Sequence, residues 1–492
     1  MNDNYLKYSA FGAKGDGIAD DLDAIIRTHE VANVTGKTVR ADSGATYYIG
    51  ETNKTAIIQT DTDWGDAQFI IDDSYVSVDD RCKHIFEVSS AMTPINTDSV
   101  KSIKKEQNYI HLTLPHMSLI KVTDETCMRY IRKGLNQDSG FPQTEVFIVF
   151  TDGAVDTAAP LVWDFDNISS LTAYPIDTMT LKVSGGHFTT IANRAESNYT
   201  YYNRGILITR SNTQLDGICH IVEGELEHGA PYRGFISIER CAFVTVRSCK
   251  VSGHKIYSTV GTAGESVTMG SYDISVNETV GVSFINCKQL NDVRDNNLWG
   301  VFTSNYSKNI LFDNVEFSRF DAHMGVVNVT IRNSVIGYME VKLIGTGTAL
   351  IENTSVYSDK FIELREDYGS TWDGDIIIQN CEFVPCTGLK GAVLIYGCNT
   401  GDHDFGYPCQ MPSKVVIDGL KIDDRHVAAT TGYKGPRIFD EFNDIREGSV
   451  DAPYPYKPVK ELVLKDITVV SGKDVTISDN EYLLRDLVVT KK

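Results

Sequence analysis

The sequence predicts an all-β chain, a right-handed parallel β-helix with a short N-terminal capping α-helix and a β-rich insertion, and three observations carry that expectation. A short phrase recurs: Val246-Arg247-Ser248-Cys249-Lys250-Val251, Phe284-Ile285-Asn286-Cys287, Phe312-Asp313-Asn314-Val315-Glu316-Phe317, Ile331-Arg332-Asn333-Ser334-Val335-Ile336, Ile351-Glu352-Asn353-Thr354-Ser355-Val356 and Ile378-Gln379-Asn380-Cys381-Glu382-Phe383. Its tightest returns, Asn314 to Asn333 to Asn353, are steps of 19 and 20 residues, with 28 and 27 on either side, and such a period means a solenoid. Each copy is rich in β-branched and aromatic residues alternating in and out with period two, so each is a strand. The recurring Asn, with Cys, Ser or Thr beside it, is expected to stack coil upon coil as a structural ladder.

In chain order, residues 1–60 read as the N-terminal cap and first coils. A helical pattern puts Leu22, Ile25, Ile26 and Ala32 on one face, and Asp20 and Asp21 are placed to cap it. The run Phe11-Gly12-Ala13-Lys14-Gly15-Asp16-Gly17, followed by Asp20-Asp21, resembles the entry segment of the pectate-lyase-like superfamily, the glycoside-hydrolase-family-28-related β-helix proteins. The resemblance implies the start of a right-handed β-helix with a capping α-helix, in a segment that carries no chemistry. Members of that superfamily include polysaccharide hydrolases, polysaccharide lyases and phage tailspikes, so activity has to be argued from a site. Residues 61–205 read as early coils holding a β-rich insertion at about 84–160, and 206–470 as the main β-helix. Weaker copies of the phrase flank the core at Leu215-Asp216-Gly217-Ile218, Val416-Ile417-Asp418-Gly419 and Leu464-Lys465-Asp466-Ile467, and residues 471–492 read as a C-terminal cap.

Composition narrows the partners. With 66 acidic against 46 basic residues the formal net charge of the 492-residue chain is -20, and no basic run breaks the pattern. Nucleic acid and anionic membrane surfaces are poor partners for such a chain. A long polyanionic glycan is disfavoured too unless a local basic groove overrides the average. No stretch approaches the roughly 18 apolar residues of a membrane helix, and Met1-Asn2-Asp3-Asn4-Tyr5 has no signal-peptide character. Cys249, Cys287 and Cys381 share one phase of the repeat and read as inward core residues, and Cys381 with Cys386 fits no zinc spacing. Reduced thiols and a cytoplasmic home are the simpler combination, with secretion if a signal was removed.

Placing the copies in register shows what emerges one turn later: Gly253-His254-Lys255-Ile256-Tyr257, Asn291-Asp292-Val293-Arg294-Asp295, Arg319-Phe320-Asp321-Ala322-His323, Tyr338-Met339-Glu340-Val341-Lys342 and Asp359 to Trp372. Five successive coils put ionisable groups on one outward strip. Solvated strand faces are polar anyway, but acids, His, Arg and aromatics concentrate between Asp292 and Trp372. Columns of adjacent coils lie about 4.8 Å apart. Asp295 with Asp321, or Asp321 with Glu340, suits the carboxylate spacing of about 5 to 5.5 Å of a retaining glycosidase, and Asp321 with Asp367 the wider spacing of about 6.5 to 9.5 Å of an inverting one. Asp321 is the expected centre, with flanking carboxylates raising one member to a general acid, and His323 orienting a carboxylate or binding a hydroxyl. Arg365 is expected to hold an acid in its ionised form or to clamp a substrate carboxylate. His254, Tyr257, Trp299, Tyr368 and Trp372 are expected to bind or stack on sugars, and Asp404 and Trp163 to wall the groove.

The leading function on these grounds is a glycoside hydrolase acting on an oligo- or polysaccharide. A polysaccharide lyase is the second, with Lys342, Arg365 or His323 as base and Ca²⁺ neutralising a uronate; no other cofactor or metal is expected. A phage tailspike-type glycan-binding protein is the third. It ranks last because the entry motif begins within ten residues of Met1 and the chain after Leu483 is short for a trimerisation segment. The expected partner is carbohydrate, and the chain is expected to be a monomer or small homo-oligomer.

Overall fold

Period-two alternation turns each phrase into a strand whose inward residues have nowhere to go but the interior of the coil. The computed structural model describes residues 4–492 apart from 135–136, 198–199, 228, 262–263, 387–390, 431 and 447–451, and it is a right-handed parallel β-helix. Among the described residues the coils stack two long parallel sheets, one of 22 strands running from the N-terminal segment to Val488–Lys491, the other of 11 strands from Ala56–Ile58 to Arg437–Phe439. In the second sheet Ile274, Phe302, Phe320, Val341, Ile362 and Ile395 lie one above another and point inward, all fully buried. Each such side chain contributes about 1.5–3 kcal/mol on burial, which is how a column of short strands holds without long ones.

The recurring Asn marks a corner. Asn286, Asn314, Asn333, Asn353 and Asn380, with Ser248 before them, all have φ between 48° and 56°, the left-handed region that Asn tolerates better than other non-glycine residues. The ladder forms in part: Asn314 donates to Asn286 Oδ1 at 2.8 Å and Asn353 to Asn333 Oδ1 at 3.3 Å, whereas Asn333 donates to Asp313 at 2.9 Å. A second ladder, at the bulge that opens each strand, joins Asn328 to Asn309 at 3.0 Å. Cys249, Cys287 and Cys381 are buried beside the corner, and all ten cysteines are free thiols.

The α-helix Leu22–Thr35 caps the N-terminal end with Leu22, Ile25 and Ala32 buried. Asp20 caps it, accepting from the Leu22 amide at 3.0 Å. Asp21 does not; its carboxylate is drawn back to the amides of Lys14 and Gly15 at 2.6 and 2.9 Å, fastening the glycine turn to the helix start. The insertion is an antiparallel sheet of Ile95–Asn96, Ser118–Arg129, Phe141–Val149 and Ser170–Pro175, while Phe86–Val88 is a rung of the β-helix. Within the insertion, Tyr109 forms a bridge to Ala154. The insertion docks through Leu119, Val146 and Ile148 against Ala242 and Val280, and through a buried ion pair, Lys308 Nζ to Glu145 Oε1 at 2.6 Å. Among the described residues no helix is long and apolar enough to cross a membrane.

Candidate functional site

The outward face of the second sheet carries the predicted strip. Strand pairing aligns Asp321 with Lys342, Lys342 with Glu363 and Glu363 with Tyr396, so one column of the sheet is polar on four successive coils. Two residues along each strand a second row runs as a chain of hydrogen bonds. Arg132, from the end of the insertion, donates to His323 Nε2 at 3.2 Å; His323 Nδ1 donates to Asn305 Oδ1 at 2.8 Å; Asn305 donates to Asn277 at 2.7 Å and Asn277 to Ser275 Oγ at 3.1 Å. That chain fixes the His323 tautomer, with its proton on Nδ1. Burial first, then Arg365, pushes the His323 imidazole down to about 3, so it is neutral and its free lone pair is taken by Arg132.

Asp321, the centre that the sequence suggests, is held as the carboxylate partner of two arginines. It is fully buried between Arg319 at 2.5 Å and Arg365 at 2.8 Å. Burial alone would push its carboxyl up, but the two guanidiniums outweigh burial and hold it below its ordinary value. Arg365 reaches past it to Asp367 at 2.8 Å, and Arg132 meets the same carboxylate at 2.8 Å. Against burial, Arg365 and then Arg132 hold Asp367 down at about 2. Asp367 is the most open acid of the group, one third exposed.

The acid pushed upward is Glu340. Its carboxyl accepts from Ser358 at 2.7 Å and lies 3.0 Å from Lys342, which lies 2.9 Å from Glu363. Burial and the charge of Glu363 push Glu340 up against the pull of Lys342, while Lys342 and Lys360 overcome burial to hold Glu363 down. Glu340 also has φ 45°, a left-handed backbone that a glutamate occupies only at a cost. Two carboxyls side by side, one pushed up and one held down, make a candidate acid–base pair beside Asp321 on the strip.

The remaining predicted residues fall elsewhere. Asp295 turns back to its own loop, accepting from the amide and side chain of Asn297 at 2.9 and 2.7 Å. Tyr368 and Trp372 are buried, 1% and 0% exposed; the Trp372 indole donates to the Gly347 carbonyl at 3.0 Å, and Tyr368 packs edge-on against His323 and Tyr130. Neither ring offers a face to a sugar. Trp299 keeps partial exposure, packed so tightly on Gly270 that a Cβ there would fall 1.6 Å from its Cγ, with the Arg319 guanidinium 5.5 Å from its ring centre. Asp404 is an exposed turn residue that accepts from the Gly406 amide at 2.8 Å. Trp163 lines a cavity between the insertion and the β-helix, with Arg129 at 4.4 Å over its ring.

His254 and Tyr257 are buried and belong to an interior cluster. Asp273 accepts from His254 Nε2 at 2.7 Å, His220 Nδ1 at 2.9 Å and the Ser252 amide at 2.9 Å. Beyond them Glu225 lies 3.5 Å from His254 Nδ1 and accepts from Tyr257 at 3.1 Å. Arg204 pairs with the fully buried Asp73 at 2.6 Å in the same interior. Asp273 and Glu225 overcome burial to raise His254 to about 10. The His220, His254 and Asp273 ligand atoms lie within 4.8 Å of one another, the set among the described residues with a metal-like disposition. The imidazole nitrogens that face Asp273 donate their protons to its carboxylate.

Coils, insertion and strip define the class, a right-handed parallel β-helix with a polar face flanked by an inserted domain. Among solved structures the chain is similar to the tailspike gp61 of Pseudomonas phage phi297, with TM-score 0.53 and 12% identity over 95% of this chain and 81% of that one. It is similar also to the tailspike protein gp49 from Pseudomonas phage LKA1, with TM-score 0.55 and 11% identity over 98% and 84%. The Gp54 tailspike of Acinetobacter baumannii bacteriophage AP22, in complex with A. baumannii capsular saccharide, matches at TM-score 0.48 and 10% identity over 99% and 79%, too distant to carry an argument. At these identities the likeness is one of fold. No protein-family model matches the chain, and no curated protein matches its sequence.

Proposed function

We propose that this chain is a glycan-binding β-helix of the tailspike kind, holding a bacterial surface polysaccharide along the outer face of its second sheet. The observation that carries the reading is the row of fixed donors and acceptors from Ser275 through Asn277, Asn305 and His323 to Arg132 and Asp367. Sugars are recognised by hydrogen bonds to hydroxyls from groups that do not have to reorganise, and each of these is held by its neighbour. The likeness to two tailspikes along nearly the whole chain supports it. This reverses the order of the sequence-based readings, in which the spike stood third. On this reading its place of action would be a bacterial surface, unlike the cytoplasmic home that reduced thiols suggest.

The test is binding to immobilised capsular and O-antigen polysaccharides, wild type against Arg132→Ala. Binding of at least one glycan, weakened about tenfold in the variant, supports the reading; binding unchanged in the variant removes the strip from it. Glycoside hydrolysis is a second reading, favoured by Glu340, which burial and the charge of Glu363 push up, beside Glu363, which Lys342 and Lys360 hold down. There Glu340 would protonate the leaving oxygen and Glu363 would act as base. Product masses from a bound glycan, absent with Glu340→Gln, would establish cleavage; an intact glycan with wild type leaves binding as the whole function.

A further inference from the structure

The geometry points to a second sugar subsite, selective for a carboxylate-bearing unit, in the cavity where the insertion meets the β-helix. The inference rests on the glycan-binding reading above. The cavity has a volume of about 340 Å³, within the range of small-molecule sites. Three parts of the chain build it: Trp163 and Arg129 from the insertion, Val327 and Ile344 from the corner between the two sheets, and Tyr407 with Gln410 from the long loop after Asn399.

Its walls are fixed. Arg129 is held by Gln143 Oε1 at 2.9 Å and by the Gly406 carbonyl, and it covers one face of Trp163, whose ring centre is 6.1 Å from that of Tyr407. Gln410 donates to the Asp373 carboxylate, and Asp164 accepts from the Lys105 amide at 2.8 Å, so both acids on the lining already have partners. Lys105 and Lys457 are exposed on the rim, and among the described residues neither has a carboxylate within ion-pair reach. Lys105, Lys457 and Arg129 thus face Asp164 and Asp373, three positive charges against two negative, on a chain whose formal net charge is -20. A locally cationic, aromatic pocket on an acidic protein is the exception to its own average field. The ligand that uses both features is a sugar with a carboxylate, a uronate or a nonulosonate, its ring on the Trp163 and Tyr407 side and its charge toward the two lysines.

The experiment compares acidic polysaccharides (hyaluronan, polysialic acid and uronate-containing capsules) with neutral ones (dextran and mannan) on immobilised protein. The variants are Trp163→Ala and the double variant Lys105→Ala/Lys457→Ala, whose exposed lysines leave folding unaffected. An acidic glycan bound by wild type, weakened about tenfold in Trp163→Ala and at least threefold in the lysine variant, with the loss in the latter shrinking at high salt, supports the subsite. If only neutral glycans bind, or if acidic ones bind the lysine variant as well as wild type, the subsite is wrong while the glycan-binding reading stands. If no glycan binds wild type, both fall.

Discussion

Two charged clusters sit some coils apart in this molecule and are built on opposite plans. The interior cluster of Asp73, Arg204, His220, His254 and Asp273 is sealed; Arg204 and Asp73 are 1% and 0% exposed and every member faces another member. The outer strip begins the same way, with Asp321 buried between two arginines, but it opens along the sheet until Asp367 and Arg132 reach solvent. Burying charge is costly in both places. Only the second converts that cost into a surface, because a partly exposed ion pair anchored on a buried one is a rigid polar edge that a ligand can meet. Polar groups inside the coil sit where its inward column changes from Phe188 to His220, whereas those of the outer strip stay open to a ligand.

The largest expected effect breaks the sealed cluster. Arg204→Ala leaves Asp73 buried without its cation and is expected to cost about 3–5 kcal/mol, read as a lowered midpoint in chemical denaturation, with glycan binding unchanged where the protein is folded. A midpoint within error of wild type would mean that the interior charges do not hold the coil. Next is the pH dependence of stability. His254 is raised from 6.5 to about 10 in the fold, so its contribution is complete below pH 6.5 and is lost as pH rises toward about 10. Thermal scans should therefore show wild type losing stability over that window, and His254→Gln should flatten the slope; parallel curves for the two proteins would contradict the assignment. The smallest effect on stability belongs to the strip's open end. Arg132→Ala is expected to change stability by less than about 1 kcal/mol, because its pair with Asp367 is about a third exposed, while weakening glycan binding about tenfold. A large loss of stability with binding intact would turn the strip into a second structural cluster.

The coils were legible because the left-handed corner is a local demand, and Asn314, Asn333 and Asn353 answer it at a fixed period. The strip was legible as a phase, since Asp321, Lys342 and Glu363 pair across the coils in the register that the repeats imply. Ionisation was not, because it depends on which cations reach each carboxyl. Arg319 and Arg365 converge on Asp321, and Lys342 chooses Glu340 and Glu363, through side-chain paths that spacing does not reveal. Arg132 was missed because it comes from an insertion whose docking no repeat predicts. Tyr368 and Trp372 were misread because aromatic residues among polar ones look the same whether a ring covers the core or faces water. The interior cluster had no sequence signal, as Asp73, Arg204, His220, His254 and Asp273 are scattered over coils with irregular connections.

The most direct test of the outer strip is a crystal structure with an oligosaccharide cut from whichever polysaccharide the protein retains. Sugar hydroxyls are expected within hydrogen-bond distance of Asn305, Arg132 or Asp367 on the outer face of the second sheet. Sugar bound instead along the asparagine corners of the long sheet, with that face bare, would contradict this expectation.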